Sequence, residues 1–262
     1  MGDTIFMIHG MWGGPWNWDT YRSVLEAQGY RCVATTLPYH GTDPREAPDP
    51  RLGTTSLLDY AEAVEHELLA LRARPILMGH SMGGLLAQIL AARGLARAIV
   101  LLAPAAPAGI FAVDPSVIQS FWSIQTTWGF WRMPVRPTFR EACYSMLHLL
   151  DDRQRRETYD RFVYESGRAV FEIGYWPLDL HGASRVDESR VSCPVLVIAG
   201  TQDRITPAWV TRHVARKYAS VSTFREFQAH AHWLIGEPGW SEVAEYVGSW
   251  LGSLPAQSRQ DD

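Results

Sequence analysis

The feature that most restricts the fold of this 262-residue chain is the hexapeptide Gly79-His80-Ser81-Met82-Gly83-Gly84. It follows the apolar run Pro75–Met78 and precedes a segment with Leu85, Leu86, Ile89 and Leu90 at helical spacing. A buried strand, a tight glycine-flanked turn and a helix together make the repeating unit of a parallel sheet covered by helices. Small residues two before and two after the serine let the backbone turn sharply enough to expose its hydroxyl. The helix behind it directs its N-terminal amides toward any anion formed there. An incidental serine in a glycine-rich turn would not need both flanks.

The rest of the chain fits such a sheet. Near-continuously apolar or β-branched runs at Thr4–His9, Arg31–Thr36, Pro75–Gly79, Ala98–Leu102 and Val195–Gly200, with a weaker one at Ser222–Phe227, read as strands buried on both faces. Helical patterns fall between them at Asp19–Gln28, Leu57–Arg72, Met82–Arg93, Ala208–Tyr218 and Ser241–Leu251, the second led by the capping pair Thr55-Ser56. Between Pro104 and Arg190 the alternation stops. Several amphipathic segments rich in Trp and Phe follow, with no convincing strand. The length suits one large domain or a domain with an insertion. The expected division is a core of residues 1–104 and 191–262 and a helical cap of residues 105–190. Pro38–Gly53 reads as an irregular loop, and the tail after Leu254 as frayed.

Composition narrows the partners. A formal net charge of −4 gives no reason to expect nucleic acid. Three cysteines, Cys32, Cys143 and Cys193, have no CxxC spacing, so free thiols in a reducing compartment are expected rather than a disulfide framework. The N-terminal stretch lacks a basic and then apolar leader, and no apolar run is long enough to span a bilayer. A cytoplasmic protein without a membrane span is the expectation. Eleven tryptophans imply a large apolar surface to fill, in a core or a pocket.

A serine hydroxyl needs an adjacent base, and the base an orienting acid. Both should follow later strands, because ligands of open α/β sheets bind at the strands' carboxyl ends. Asp203 follows the strand Val195–Gly200, and His232 comes 29 residues later, after the last strand. The order is then Ser81, Asp203, His232. A helix cap is the plainer role for Asp203, Asp179 and Asp187 are fallback acids, and His230 competes with His232. The His-x-His pair has no further cluster at ligand spacing, so no metal is expected. After the first strand, His9-Gly10-Met11-Trp12-Gly13-Gly14 offers a second amide donor. Backbone N–H groups of Met11 and Met82 are the expected oxyanion hole, with Trp12 as the substitute for Met11. His9 is expected to brace the turn.

These four motifs, in this order, resemble the α/β-hydrolase superfamily. HGMWGGPWNWDTYRSVLEAQGYR and LPYHG make the chain most similar to small carboxylesterases of the plant methylesterase and hydroxynitrile-lyase type. The resemblance implies Ser81 as nucleophile, Asp203 as acid and His232 as base, with no cofactor. It also implies an α/β fold in which the family's sheet is reduced to six mostly parallel strands, the helical cap entering after the fourth. The hydroxynitrile lyases rely on a lysine after the catalytic histidine; Trp233 stands here, and the only lysine is Lys217. The aromatic cap implies an apolar ester, lactone or thioester with an aromatic or alkyl body as substrate, cleaved through an acyl-enzyme. Trp12, His80, Trp122, Trp128, Trp131, Trp176 and Trp233 are the expected substrate contacts. Arg168 is either a substrate contact or the partner of Glu165. A C–C bond hydrolase on the same triad and a small-molecule receptor with this fold stand as alternatives. The oligomeric state is left open.

Overall fold

The six runs read as strands pair side by side in one sheet of the computed structural model, which describes residues 3–71 and 73–255. The tail beyond Pro255 lies outside the described residues. The chain begins β1 (Thr4–Ile8), α1 (Asp19–Ala27), β2 (Arg31–Ala34), α2 (Leu57–Leu69), β3 (Ile76–His80), α3 (Met82–Ala92) and β4 (Ala98–Leu102). The segment after β4 carries α4 (Pro115–Ser120), α5 (Trp122–Gln125), β5 (Pro134–Val135), α6 (Phe139–Ser145), α7 (Asp152–Asp160), β6 (Glu165–Ser166) and α8 (Gly167–Gly174). The sheet then resumes with β7 (Val195–Gly200), α9 (Ala208–Lys217), β8 (Ser222–Phe227) and α10 (Trp240–Gly252).

The strand order is β2-β1-β3-β4-β7-β8, parallel throughout. Alternate residues of the central strands face opposite layers. Ile5, Met7, Met78, Val100 and Ile198 pack with Tyr21, Leu25, Val243 and Val247 of α1 and α10. On the other side, Phe6, Ile8, Leu77, Leu101 and Val197 pack with α2, α3 and α9. Burial on both faces is why β1, β3, β4 and β7 read as continuous apolar runs. β8 departs from that reading: it is an edge strand whose exposure alternates along Ser222–Phe227. The expectation of no strand in the segment after β4 is also corrected, since β5 and β6 form a short antiparallel pair. Two residues per strand leave no periodicity to read.

The segment after β4 is tied to the rest through buried carboxylates. Glu165 is fully buried, and its Oε1 accepts from the Tyr60 hydroxyl at 2.7 Å. His40 donates from Nε2 to Glu165 Oε2 at 3.1 Å and from Nδ1 to the Pro38 carbonyl at 2.9 Å. With acceptors on both nitrogens the ring suits its charged form. Glu172, also fully buried, receives the Ser56 hydroxyl and the Leu57 amide at the start of α2, together with Arg168 Nε at 2.6 Å. Glu165 is therefore not the partner of Arg168; Arg168 pairs with Glu172 and lies 3.6 Å from Asp179.

Burial alone would lower the His40 pKa, but the facing Glu165 carboxylate and the Pro38 carbonyl hold it above 6.5. A raised folded pKa stabilises fully below the unfolded value and loses that contribution as pH rises through the folded one. The urea midpoint is therefore expected to decline as pH climbs above about 6.5, and His40→Asn should flatten that part of the profile. Glu165→Ala, which strands the ring without its partner, should cost about 3–5 kcal/mol by denaturant titration at pH 6.

Candidate active site

The turn from β3 into α3 sets the geometry. A Cβ on Gly79 would lie 2.2 Å from the Gly83 carbonyl oxygen, and one on Gly83 would lie 2.1 Å from that of Ile8. No side chain fits at either place, so α3 can run this close to β1 and β3 only with glycine. Ser81 between them is held at φ 54°, ψ −120°, in the left-handed half of φ that non-glycine residues rarely enter. Serine at a helix N-cap ordinarily folds its hydroxyl back onto the helix. Here Ser81 is the N-cap of α3 and makes no such bond. Its side chain lines a cavity instead.

Asp203 follows β7 in a buried turn. Its Oδ1 accepts from the amides of Ile205 and Thr206 at 2.8 and 2.9 Å. Its Oδ2 accepts from His232 Nδ1 at 2.8 Å and from the Thr206 hydroxyl at 2.8 Å. Burial alone would raise this carboxyl, yet the His232 ring and the Thr206 and Ile205 amides bring it below the usual carboxylate value. An ionised acceptor at Nδ1 fixes the proton there and leaves Nε2 as the lone-pair nitrogen. Among the described residues the hydrogen bonds of the His232 ring are all at Nδ1. Thr206 was not singled out in the sequence; its only signal was a hydroxyl three residues after the acid.

The loop bearing His232 is fastened from several sides. His80 donates from Nε2 to the His232 carbonyl at 2.8 Å, and Tyr21 donates to that of Leu234 at 3.1 Å. The Thr20 hydroxyl reaches the Ile235 carbonyl at 2.8 Å. His230 turns away and pairs with Glu237 at 3.0 Å, which separates it from the competing role. Burial, helped by the neighbouring His232, pulls His80 down to about 3, so it stays neutral beside the other ring. His9, likewise lowered to about 3 by burial, donates to the Gly10 carbonyl and accepts the Leu37 amide, bracing the turn as expected. Asp179 and Asp187 serve local turns, at His181–Ala183 and Ser189.

Met11 and Ser81 share the cavity, and Met82 is the first residue of α3, which begins with the Gly84 amide donating to the Ser81 carbonyl at 2.9 Å. The cavity has a volume of about 240 Å³. Its wall is built largely from the stretch after β4, including Ile110, Phe111 and Val113, and from α4, α5 and α8. None of Ile110, Phe111 and Val113 is singled out in the sequence. Of the seven side chains expected to face substrate, Trp176 lines this cavity, packed against Phe111 at 4.8 Å. Trp122 and Trp128 are instead 60% and 89% exposed. Trp131 lies in a separate surface cleft with Arg132 and Arg168. Trp12 is buried and donates to the Val135 carbonyl, while His80 and Trp233 pack edge to face behind His232. The aromatic excess is thus shared among core, surface and cavity. Among the described residues no cluster of His, Cys, Asp or Glu could hold a metal ion, and the three cysteines are unpaired, with only Cys32 buried. No helix there is long and apolar enough to cross a membrane.

Comparison with known proteins adds the following. The alpha/beta hydrolase family profile matches residues 5–245. Over 86 residues the chain is 34% identical to salicylic acid-binding protein 2 of Nicotiana tabacum, a stretch that spans 32% of each protein. A pyrethroid hydrolase from Sphingobium faniae superposes with a TM-score of 0.73 at 18% identity, over 97% of this chain and 98% of that one. A monoacylglycerol lipase from Paleococcus ferrophilus gives 0.67 at 22% identity over 95% and 94%. A methylesterase from Arabidopsis gives 0.69 at 12% identity over 96% and 100%. At these identities the likeness is one of fold.

The glycine contacts generate a direct check. Gly83→Ala places a methyl against the backbone of β1 and should lower the thermal midpoint, with a cost of about 1–3 kcal/mol or more. Gly252→Ala, in open space within α10, should hold or raise it in the same calorimetric series.

Proposed function

Because the chain belongs to the alpha/beta hydrolase family, we propose that it is a serine hydrolase cleaving a carboxylic ester, lactone or thioester of an apolar compound with an aromatic or alkyl body. The observation that carries this reading is the 2.8 Å bond between Asp203 and His232, in a site whose Ser81 hydroxyl faces an apolar cavity. His232 Nε2 takes the Ser81 proton as Oγ attacks the carbonyl carbon. Asp203 holds the ring in the required tautomer and stabilises its cation. The amides of Met11 and Met82 receive the oxyanion, each contributing a few kcal/mol by analogy with other such donors. His232 then protonates the leaving oxygen, and the acyl group remains on Ser81. A water activated by His232 attacks that acyl-enzyme and returns Ser81 to its starting state. His80 acts as a positioning residue by holding the His232 carbonyl. The segment of residues 105–190 is the cap that roofs the cavity.

A second reading, a small-molecule receptor, draws on one point. The tobacco relative is named for binding salicylic acid, and a cavity of about 240 Å³ would take a single aromatic ring.

Two measurements separate these. Wild-type protein should turn over p-nitrophenyl esters, and Ser81→Ala should lose at least about 10³-fold in kcat while keeping its fold by circular dichroism. A fluorophosphonate should label wild-type Ser81 stoichiometrically. Unaltered turnover in the alanine variant, or no label, would overturn the mechanism.

A further inference from the structure

The wall of the cavity restricts the substrate further than its apolar character does. Among the described residues no Asp, Glu, Lys, Arg or His lines it, and its polar side chains are Ser81, Thr206, Gln125, Tyr175 and Trp176. Ser81 carries the chemistry of the reading above. Thr206 is committed: its hydroxyl lies 2.8 Å from Asp203 Oδ2 and 3.1 Å from the Ala103 carbonyl. The Tyr175 ring is stacked on Phe171, with centroids 5.5 Å apart and 15° between planes. Gln125 differs. It is the last residue of α5, half-buried, and held through its backbone, whose N–H donates to the Phe121 carbonyl at 2.9 Å. Its side-chain amide has no hydrogen-bond partner among the described residues. The amide therefore has donors and an acceptor open to a group bound in the cavity.

The volume sets the scale. An apolar cavity of about 150 Å³ accommodates benzene, so about 240 Å³ accommodates roughly ten non-hydrogen atoms. An ionised group would enter without a counter-charge. A neutral oxygen would meet the Gln125 amide.

We propose, resting on the hydrolase reading, that Gln125 is a specificity-determining residue. The larger of the two groups joined by the ester is uncharged and about ten non-hydrogen atoms in size. It carries a carbonyl or hydroxyl oxygen that the Gln125 amide binds. The preference is set in binding and does not depend on the Ser81 chemistry.

The test measures binding without turnover. In a Ser81→Ala background, dissociation constants are read from tryptophan fluorescence, Trp176 lying in the wall. The ligands are methyl octanoate and its 5-, 6- and 7-oxo derivatives. At one ketone position the preference for the oxo ester over methyl octanoate should fall about ten-fold on Gln125→Leu. Methyl octanoate itself should bind Gln125→Leu as well or better. Gln125→Glu, similar in shape but without the amide donors, should show the same loss and guards against a packing effect of leucine. An unchanged preference in Gln125→Leu at every ketone position overturns the proposal. So does a preference that vanishes in Tyr175→Phe and survives in Gln125→Leu. Fluorophosphonate labelling of Ser81 is scored separately. Label with no Gln125 effect sinks this inference alone, and a Gln125 effect without label sinks the hydrolase mechanism alone.

Discussion

The nearness of α3 to β1 and β3 is the constraint on which the site depends. The helix can approach only because Gly79 and Gly83 offer no side chain, and Gly10 repeats the condition, a Cβ there falling 2.9 Å from that of Ser81. Closing that distance forces Ser81 out of the ordinary backbone regions, and it is not alone. Among the described residues the non-glycine ones with positive φ are Trp12, Tyr39, Ser81, Ala103 and Ala229, each in a loop leaving the carboxyl end of a sheet strand. Such conformations cost about 1–3 kcal/mol each and persist where the surroundings over-determine them. Here those surroundings are parallel strands buried on both faces, rigid enough to hold the strain along one edge of the sheet.

That edge is roofed by a segment held down by charge as well as by apolar packing. Glu165 and Glu172 both direct bonds at α2, and the Ser166 hydroxyl adds one to the Thr55 carbonyl at 2.6 Å. Carboxylates this deeply buried are tolerated only when every lone pair is answered. Geometry at α8 is therefore specified to within a hydrogen bond's length, and α8 supplies Val170, Ile173 and Gly174 to the cavity wall.

The core was legible in the sequence because its physics is local. Strands buried on both faces write themselves as apolar runs, and the glycine spacing around Ser81 records a steric contact. Asp203 and His232 could be located because a parallel sheet delivers the ends of all its strands to one side. The cavity was not legible for the opposite reason. Whether Trp128, in a turn after α5, or Trp176, at the start of a three-residue 3-10 turn, meets solvent depends on which segment covers it, and helices of four or six residues such as α5 and α4 carry too few turns to show a buried face. His40 and Glu165 lie 125 residues apart, and nothing in either neighbourhood announces the other. Gln125 carries no signal of its own in the sequence; its interest comes only from the cavity beside it.

The cavity wall bears on how a catalytic cycle would end. Hydrolysis of an ester by the proposed route turns a neutral molecule into an acid that ionises at neutral pH. The newborn carboxylate would form at Ser81, where amides alone face it, while Ile110, Val113, Ile205 and Val210 line the rest of the wall with no cation among the described lining residues to hold it. A medium this poor at solvating charge drives the acid back toward water. The same surface that admits the substrate would evict the product, keeping the enzyme from being choked as its own acid accumulates.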